Sequence, residues 1–313
     1  MDEFALIRRY FESLTPAAFG VELGVGDDCA LLAPPLGQQL AITSDTLIAG
    51  RHFPLETAAA DIGWKALAVN LSDLAAMGAE PYAFTLALSL PEANADWLAG
   101  FAAGLGELAR AAGIALVGGD TTRGPLSITI TALGTVQPGA ALLRSGARSG
   151  ELVCVTGTLG DAALALRQLQ AGAPVDAALR ARLDRPTPRH AAGTALRGVA
   201  SAAIDLSDGL LGDLGHILSA SGVGATLEIG QLPMSRAFAA LAAPDERASL
   251  QLAGGDDYEL CFCVPAAQLD AARAACAAVP VTVIGQIETE PGLRLRGAAG
   301  AIVSSSATAY RHF

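Results

Sequence analysis

Several aspartates of this sequence stand where apolar neighbours would normally exclude charge. Each one ends an apolar strand-like run or lies inside an apolar helix-like run. The segments are GVGDDCALL, LAITSDT, ALAVNLSDLAAMGA, IALVGGDTTRG and SAAIDLSDGLL, and their acids are Asp27, Asp28, Asp45, Asp73, Asp120, Asp205 and Asp208. A buried carboxylate is costly unless it is paired, hydrogen-bonded or bound to a metal. Lys65 is the only lysine, so pairing would depend on arginines, and only Arg51 and Arg123 lie close in sequence.

Taken singly, each of these acids has an ordinary structural explanation. An aspartate after glycine or before threonine is typical of a turn or a helix N-cap. As a set, they recur on separate apolar segments, and this favours one shared site for hard divalent cations. Oxygen-only ligands favour Mg²⁺. Asp73 is the clearest case, because its predicted helix is apolar on nearly every side and Asn70 lies one turn earlier on the same face.

An acidic cation site indicates chemistry on phosphates, whose charge magnesium neutralises. The sequence contains no G-x-x-x-x-G-K-[ST], G-x-G-x-x-G or H-R-D pattern. If the protein uses ATP, its phosphates would depend on metals, arginines and backbone N–H groups. The candidate loops are residues 118–123, the segment around Arg144, and residues 157–160 before a predicted helix.

The sequence offers little sign of a general base. His190, His216 and His312 have ordinary surface or helical contexts, and only His52 follows one of the acidic segments. This scarcity suits a nucleophile that is already an anion. A phosphate oxygen needs charge shielding and alignment rather than deprotonation. The pattern therefore points to phosphoryl transfer onto a phosphate, with no residue assigned as a catalytic base.

Alternating strands and helices must position these residues, and they predict an α/β fold with mixed sheets in two domains. The predicted strands cover 21–26, 30–33, 39–44, 82–90, 114–117, 127–136, 152–156, 202–206, 225–229, 258–264 and 281–287. The predicted helices cover 2–14, 58–77, 95–112, 161–170, 176–184, 188–198, 209–220 and 266–278. The Gly-, Ser- and Arg-rich stretch 137–150 has no hydrophobic periodicity. It separates a predicted N-terminal domain, 1–137, from a C-terminal domain, 150–313.

Composition narrows the class of protein. Of 313 residues, 52% are hydrophobic and 16% charged, which is enough apolar material for a large core. A net charge of -11 argues against sequence-independent nucleic-acid binding. The five scattered cysteines are expected to be reduced core residues. The charged stretch 1–12 does not resemble a signal peptide, and no uncharged run reaches membrane-spanning length, so we expect a cytoplasmic protein without a membrane partner.

The ordered segments together resemble the thiamine-monophosphate kinase family. The resemblance is carried by VELGVGDDCALL, SDTLIAGRHF, WKALAVNLSDLAAMGAEP, LVGGDTTRGPLSI, LRSGARSGE, VTGTLGDAA, AIDLSDGLLGDLGHI and AGGDDYELCFCVP, and it runs from about residue 3 to the final YRHF. It implies the two-domain aminoimidazole ribonucleotide synthetase-like fold, a homodimer, and transfer of the γ-phosphoryl group of ATP to thiamine monophosphate, with several Mg²⁺ ions.

The resemblance also implies roles for individual residues. The metal ligands would be Asp28, Thr43, Ser44, Asp45, Asp73, Asp120, Asp205 and Asp208. ATP would contact Gly119, Asp120, Arg144 and Ser207, and thiamine monophosphate would contact His52, Asp256 and Tyr310. At 256 the family commonly has glutamate, so the shorter aspartate leaves open whether Asp257 shares the role. A core position is the alternative for Tyr310.

Two other classes of function stay open at this point. Aminoimidazole ribonucleotide synthetases share the implied fold, although their segments match less well. Selenophosphate synthetases and hydrogenase-maturation proteins are disfavoured, because the first cysteine directly follows the acidic pair and the chain ends in AYRHF. A non-catalytic nucleotide-binding module would be expected to lose acids from the set, whereas this sequence retains all six implied aspartate ligands.

Overall fold

A computed structural model describes residues 3–14, 20–297 and 300–303 of the chain. These residues form two compact units. The first comprises the described residues up to Leu74 together with Ala79–Gly139, and the second comprises Ala75–Gly78 and the described residues from Ala140 onward. Both combine helices with β-sheets, so the predicted mixed α/β class is confirmed.

A four-stranded mixed sheet is the centre of the first unit. Its elements in chain order are α1 (Glu3–Tyr10), β1 (Val21–Leu23), β2 (Leu31–Leu32), β3 (Gln39–Ile48), α2 (Ala59–Ala76), β4 (Glu80–Leu90), α3 (Ala95–Ala112), β5 (Ala115–Arg123) and β6 (Ser127–Val136), with a 3₁₀ turn at Glu12–Leu14. The strand order is β3-β6-β4-β5, and only the β4–β5 pair is parallel. Strands β1 and β2 form a separate antiparallel pair.

Local sequence explains where α3 begins and ends. The Asn94 side chain caps the N-terminus by accepting hydrogen bonds from the backbone N–H groups of Asp96 and Trp97, each at 3.0 Å. Gly113 ends the helix with a left-handed φ of 67°, a conformation that glycine adopts without steric cost. Leu98, Phe101 and Leu105 are fully buried along one face of this helix, and so α3 is held by its apolar side.

A seven-stranded sheet forms the centre of the second unit, with the order β13-β12-β9-β11-β7-β10-β8. Its strands are β7 (Leu152–Thr156), β8 (Ala202–Asp205), β9 (Gly224–Glu228), β10 (Leu260–Val264), β11 (Val281–Glu288), β12 (Gly292–Arg296) and β13 (Ile302–Val303). Its helices are α4 (Asp161–Gln170), α5 (Ala177–Asp184), α6 (His190–Ala195), α7 (Leu210–Ser221), α8 (Arg236–Leu241), α9 (Arg247–Ala253) and α10 (Leu269–Ala275). Only β12 and β9 pair in parallel.

Both faces of this sheet bury apolar side chains, because successive residues of a strand point to opposite sides. Cys261 and Cys263 of β10 pack into one core cluster, and Leu260 and Phe262 pack into another. The two cysteines therefore share one face of the sheet and lie in the core. Four of the five cysteines are buried and all five are free thiols. Burial raises the pKa of Cys154 to about 12, and such a thiol stays protonated and unreactive.

The structure extends or adds elements that the sequence pattern did not predict. Strand β3 continues to Ile48 and β5 continues to Arg123, because their polar residues remain in the sheet ladder. Helices α8 and α9 and strands β12 and β13 were not predicted. The helices have only six and seven residues, and β13 has only two, too short for periodicity to be recognised. Within the described ranges, no helix is long and apolar enough to cross a membrane.

A glycine-mediated helix contact leads to a stability prediction. A Cβ added at Gly104 of α3 would lie 1.8 Å from the carbonyl oxygen of Ala60 in α2, so the two backbones touch. We expect Gly104→Ala to destabilise the protein by about 1–3 kcal/mol, because backbone must move to admit the methyl group. Urea unfolding measures this change.

The matched control for this substitution is Gly100→Ala in the same helix. A Cβ at Gly100 would lie 3.2 Å from the Ala59 side chain and no nearer than 3.6 Å to the backbone of α2. Its stability should stay within about 1 kcal/mol of the parent, since alanine favours the helix. Equal stability of the Gly104→Ala protein and the parent would contradict the contact.

Candidate functional site

Strand β3 and helix α2 bring two of the predicted carboxylates to one side of the first sheet. Thr43 of β3 donates a hydrogen bond from its hydroxyl to the carboxylate of Asp73 on α2. One turn earlier on α2, the amide oxygen of Asn70 accepts a hydrogen bond from the backbone N–H of Asp45 at 3.2 Å. Asp45 and Asp73 are both partly buried. Asn70 is fully buried, and this hydrogen bond lets it fix the position of the β3 backbone at Asp45.

The structure does not bring Ser44 together with Thr43 and Asp45. Side chains alternate along β3, and the Ser44 hydroxyl lies on the opposite face, 2.9 Å from the hydroxyl of Thr131. Thr46 continues that face with a 2.8 Å contact to Thr129. The period of two that defines a strand separates adjacent side chains in this way.

Gly119 and Asp120 lie in strand β5, beside β4. Gly119 has a φ of 148°, and an added Cβ would stand 1.9 Å from the carbonyl oxygen of Leu86. Glycine is therefore required here for the close approach of the two strands. Asp120 is exposed and is the register partner of Ala87. The register places Gly119 in the same cross-sheet row as Asp45, through Leu86 and Ile130.

Asp28 and His52 complete the predicted set of the first unit. Asp28 is exposed in the loop between β1 and β2, where its backbone N–H donates to the Asp27 carboxylate at 2.8 Å. His52 follows β3, and its Nδ1 accepts a hydrogen bond from the backbone N–H of Ile48 at 2.9 Å. Since Nδ1 accepts, the proton of the neutral ring belongs on Nε2.

In the second unit, the predicted acids lie where β8 leads into helix α7. Asp205 ends β8 and is only 5% exposed, whereas Asp208 is exposed in the turn that follows. Asp213 of α7 holds this turn, because its carboxylate accepts hydrogen bonds from the backbone N–H groups of Asp208 at 3.2 Å and Gly209 at 3.1 Å. Burial, and after it the nearby charge of Asp208, raises the pKa of Asp213 to about 7.

The segment that contains Asp256 is bonded to the same turn. The backbone N–H of Asp256 donates to the Ser207 carbonyl at 2.9 Å, and that of Tyr258 donates to the Leu206 carbonyl at 2.8 Å. Ser207, Asp208 and Asp256, predicted for ATP, metal and acceptor respectively, are therefore neighbours. The Asp256 carboxylate accepts a hydrogen bond from the Tyr258 hydroxyl at 3.0 Å.

The structure separates the roles of Asp256 and Asp257. The Asp257 side chain is buried, 2% exposed, and both of its carboxylate oxygens face the backbone N–H of Gly160, at 2.9 and 3.2 Å. Burial raises the pKa of Asp257 well above its usual value. Asp256 is partly exposed, so it is the one of the two that a ligand can reach.

Two predicted residues lie apart from these groups. Arg144 is exposed between β6 and β7, and its carbonyl accepts a hydrogen bond from the Ser221 hydroxyl at 3.2 Å. Tyr310 lies outside the described residues, so its prediction as a substrate contact stays a prediction.

The oxygen donors of this face suit a magnesium ion, but they do not by themselves form a complete coordination shell. Asp45, Asp73 and Thr43 offer hard oxygen donors on one face, as Mg²⁺ prefers. Among the residues that the structure describes, no group of three or more histidine, cysteine, aspartate or glutamate side chains could hold one metal ion. Magnesium is commonly bound by one or two carboxylates together with substrate phosphates and water. The residues present fit that mode.

Several buried polar residues were missed by the sequence reasoning. Glu259 is fully buried at the start of β10, where its carboxylate faces Arg182 and Arg189. Asp213 and Asp257 were also not recognised as residues that hold backbone in place. One signal was present, since Glu259 directly precedes the apolar strand Leu260–Val264, where an acid requires a partner.

Comparison with known proteins assigns both units to one family. Residues 26–136 match the family of AIR synthase related proteins in its N-terminal domain, and residues 137–298 match its C-terminal domain. Over 295 residues the chain is 50% identical to the thiamine-monophosphate kinase of Salmonella typhimurium, covering 92% of this chain and 91% of that protein.

Solved structures agree with the sequence comparison. The crystal structure of the thiamine-monophosphate kinase from Stenotrophomonas maltophilia is 51% identical, with a TM-score of 0.88, and the match covers 94% of this chain and 96% of that one. The structure of AaThiL complexed with AMPPCP and TMP is 28% identical, with a TM-score of 0.79 and coverage of 99% and 97%. This chain therefore belongs to the AIR synthase related protein family, within its thiamine-monophosphate kinases.

Proposed function

We propose that this protein is an ATP-dependent thiamine-monophosphate kinase that makes thiamine diphosphate and ADP. The observation that carries the proposal is the 50% sequence identity over 295 residues, 92% of this chain, with a kinase of that name. A second support is that AaThiL, similar over 99% of this chain, was solved with AMPPCP and TMP together. AMPPCP is an analogue of ATP, so that complex holds an analogue of the proposed donor together with the proposed acceptor.

The proposed reaction is a direct in-line transfer. The bond between the γ-phosphorus and the ADP oxygen breaks as a bond forms to a phosphate oxygen of thiamine monophosphate. The acceptor oxygen is already anionic, so no proton has to be removed. No residue is therefore needed as a general base. The protein's task is then to align two negatively charged substrates and to exclude competing water.

Residues of the second unit are proposed to position the substrates. Ser207 would contact ATP, and Asp256 would contact thiamine monophosphate. The two residues are neighbours, because the backbone N–H of Asp256 donates to the Ser207 carbonyl at 2.9 Å. A carboxylate is suited to the cationic thiazolium or the amino group of the pyrimidine. Arg144 would also contact ATP, together with Gly119 and Asp120 of the first unit. His52 of the first unit and Tyr310 would also contact thiamine monophosphate.

Magnesium is the proposed cofactor, and several ions are expected. The ligands would come from Asp28, Thr43, Asp45, Asp73, Asp120, Asp205 and Asp208, whereas the Ser44 hydroxyl lies on the opposite face of β3 and does not join them. When bound, Mg²⁺ would shield the charge of the phosphates that these acids otherwise repel. Of this set, Thr43 and Asp73 are already in direct hydrogen-bond contact, and Asp45 lies on the same face of β3.

We also propose that two copies of the chain assemble as a homodimer, through the sheet face opposite α2. Large apolar side chains on that face are exposed, with Ile42 at 64%, Ile48 at 47% and Leu40 at 44%. They surround the hydroxyl rows formed by Ser44 and Thr46. An exposed apolar sheet face of this kind is a common interaction surface. A cytoplasmic location, with no nucleic-acid or membrane partner, completes the proposal.

Product formation tests the proposal directly. Protein incubated with ATP, thiamine monophosphate and Mg²⁺ is expected to release thiamine diphosphate and ADP in equal amounts, measured by chromatography. Excess EDTA should abolish turnover, because phosphate repulsion is then unshielded. ATP binding without product would instead favour a non-catalytic module, and turnover of another acceptor would favour another enzyme of this fold.

Removing one proposed metal ligand should lower the activity and leave the stability of the fold nearly unchanged. Asp73→Asn is expected to lower kcat by about a hundredfold or more, since a neutral amide is a poor magnesium ligand. The melting temperature should change little, because the amide oxygen still accepts the Thr43 hydrogen bond. Asp120→Asn should behave in the same way. Steady-state kinetics and calorimetry provide the two measurements.

The control for these variants is Asp96→Asn, which neutralises an exposed acid in the first turn of α3. Its kcat should stay within about twofold of the parent. Full activity of both Asp73→Asn and Asp120→Asn would rule out the proposed metal roles.

Asp213 makes the stability of the second unit depend on pH. Its pKa is raised from 3.8 to about 7 in the folded protein. The protonated acid therefore contributes stability that is complete below about pH 4 and is lost as pH rises through about 7. Between pH 5 and pH 8 the free energy of unfolding of the parent should fall by about 2–3 kcal/mol relative to that of Asp213→Asn. Urea unfolding in EDTA measures this loss, and a pH-independent difference would contradict the assignment.

A further inference from the structure

Residues 256–258 adopt a backbone conformation that is unusual for non-glycine residues. Asp256 has a φ of 67° and Tyr258 a φ of 49°, and among the described residues no other non-glycine position has a positive φ. Left-handed backbone at such residues is strained, and it persists only where surrounding contacts fix it. The contacts that fix it determine where the Asp256 carboxylate points.

Arg182 of α5 supplies the contact at the centre of this turn. Its Nη2 donates to the backbone carbonyl of Asp257 at 3.0 Å, and Asp257 lies between the two strained residues. The same nitrogen donates to Oε1 of Glu259 at 2.8 Å. One guanidinium nitrogen therefore connects the turn to a buried carboxylate that keeps the arginine oriented.

Glu259 has a second cationic partner besides Arg182. Arg189 grips the same carboxylate with two hydrogen bonds, from Nε at 2.6 Å and from Nη2 at 2.5 Å. The Thr156 hydroxyl donates a further bond at 2.7 Å. Both arginines therefore balance the buried charge, and Arg182 in addition donates to the Asp257 carbonyl.

The neighbouring turn at Ser207 and Asp208 has its own support. Asp213 holds the N–H groups of Asp208 and Gly209, and the N–H of Leu206 donates to the Glu259 carbonyl at 2.8 Å. Loss of the Arg182 bond would therefore loosen residues 256–258 while leaving the proposed ATP contact at Ser207 in place.

We propose that Arg182 is a positioning residue for the acceptor substrate, which fixes the strained 256–258 turn so that Asp256 faces thiamine monophosphate. The proposal rests on the proposed function for the identity of the substrate. Glu259 serves to orient Arg182, and Arg189 serves to neutralise Glu259. Removing either arginine costs folding stability, but only the loss of Arg182 changes the recognition of the acceptor.

The first measurement is hydrogen exchange without any substrate, in Arg182→Gln and in the matched variant Arg189→Gln. Both remove one guanidinium from Glu259 and leave the other. Amides of a peptide spanning residues 254–260 should exchange about tenfold faster in Arg182→Gln and close to the parent rate in Arg189→Gln. Unchanged exchange in Arg182→Gln, or equal loosening in both variants, would overturn the proposal whatever the enzyme acts on.

The second measurement is steady-state kinetics on the full chain. Arg182→Gln should raise the KM for thiamine monophosphate about tenfold and leave the KM for ATP within about twofold, whereas Arg189→Gln should leave both within about twofold. Equal rises of both KM values in Arg182→Gln would overturn the positioning role. A parent protein that forms no thiamine diphosphate would refute the proposed function, and hydrogen exchange would still decide the positioning.

Arg182→Lys covers the case in which Arg182→Gln does not fold. Lysine keeps the positive charge beside Glu259, but its flexible ammonium group lacks the fixed position that the planar guanidinium gives Nη2 between the Asp257 carbonyl and Glu259. It should raise the KM for thiamine monophosphate in the same direction by a smaller factor, and unchanged kinetics in a folded Arg182→Lys protein would overturn the proposal.

Discussion

The carboxylate of Glu259 has no exposure to solvent, and two arginines and a threonine hydroxyl satisfy it. Leaving a buried charge without its partners costs about 3–5 kcal/mol, so this cluster strongly constrains the surrounding chain. Strand β10, the end of β7 and the helix that carries Arg182 must meet at one point. The left-handed backbone of residues 256–258, just before β10, is held in place by the same contacts.

The same requirement recurs around the cluster. Asp257 is buried against the N–H of Gly160, which lies at the N-terminal end of α4. Asp161, next in the chain, accepts hydrogen bonds from the hydroxyls of Thr158 and Ser235, at 2.7 and 2.5 Å. Each acid accepts at least one hydrogen bond from a distant part of the chain. Acidic residues in this unit therefore divide into those that hold backbone in place and those that stay accessible, such as Asp208 and Asp256.

In the first unit, strand alternation and a helix contact place the acids together on one face of the sheet. Regular alternation along β3 directs Thr43 and Asp45 towards α2, and Asp73 meets them from that helix. Two carboxylates at such a place are suited to a cation that also binds substrate phosphates, because the substrate supplies the remaining oxygen ligands. A cage of three or more acids would be needed only if the protein bound the ion alone.

Much of the fold followed from the sequence alone. Hydrophobic periodicity gave α3, β6, β7 and α4 with their observed bounds, and acids inside apolar runs identified Asp73 and Asp205 as residues with a special role. Motif order gave the family. Only the tertiary structure decided that Ser44 faces away from Asp45, that Asp257 is an interior residue, and that Arg182 and Arg189 converge on Glu259. Those facts depend on strand register and on contacts between residues about 70 to 100 positions apart. Local sequence carries no signal for either.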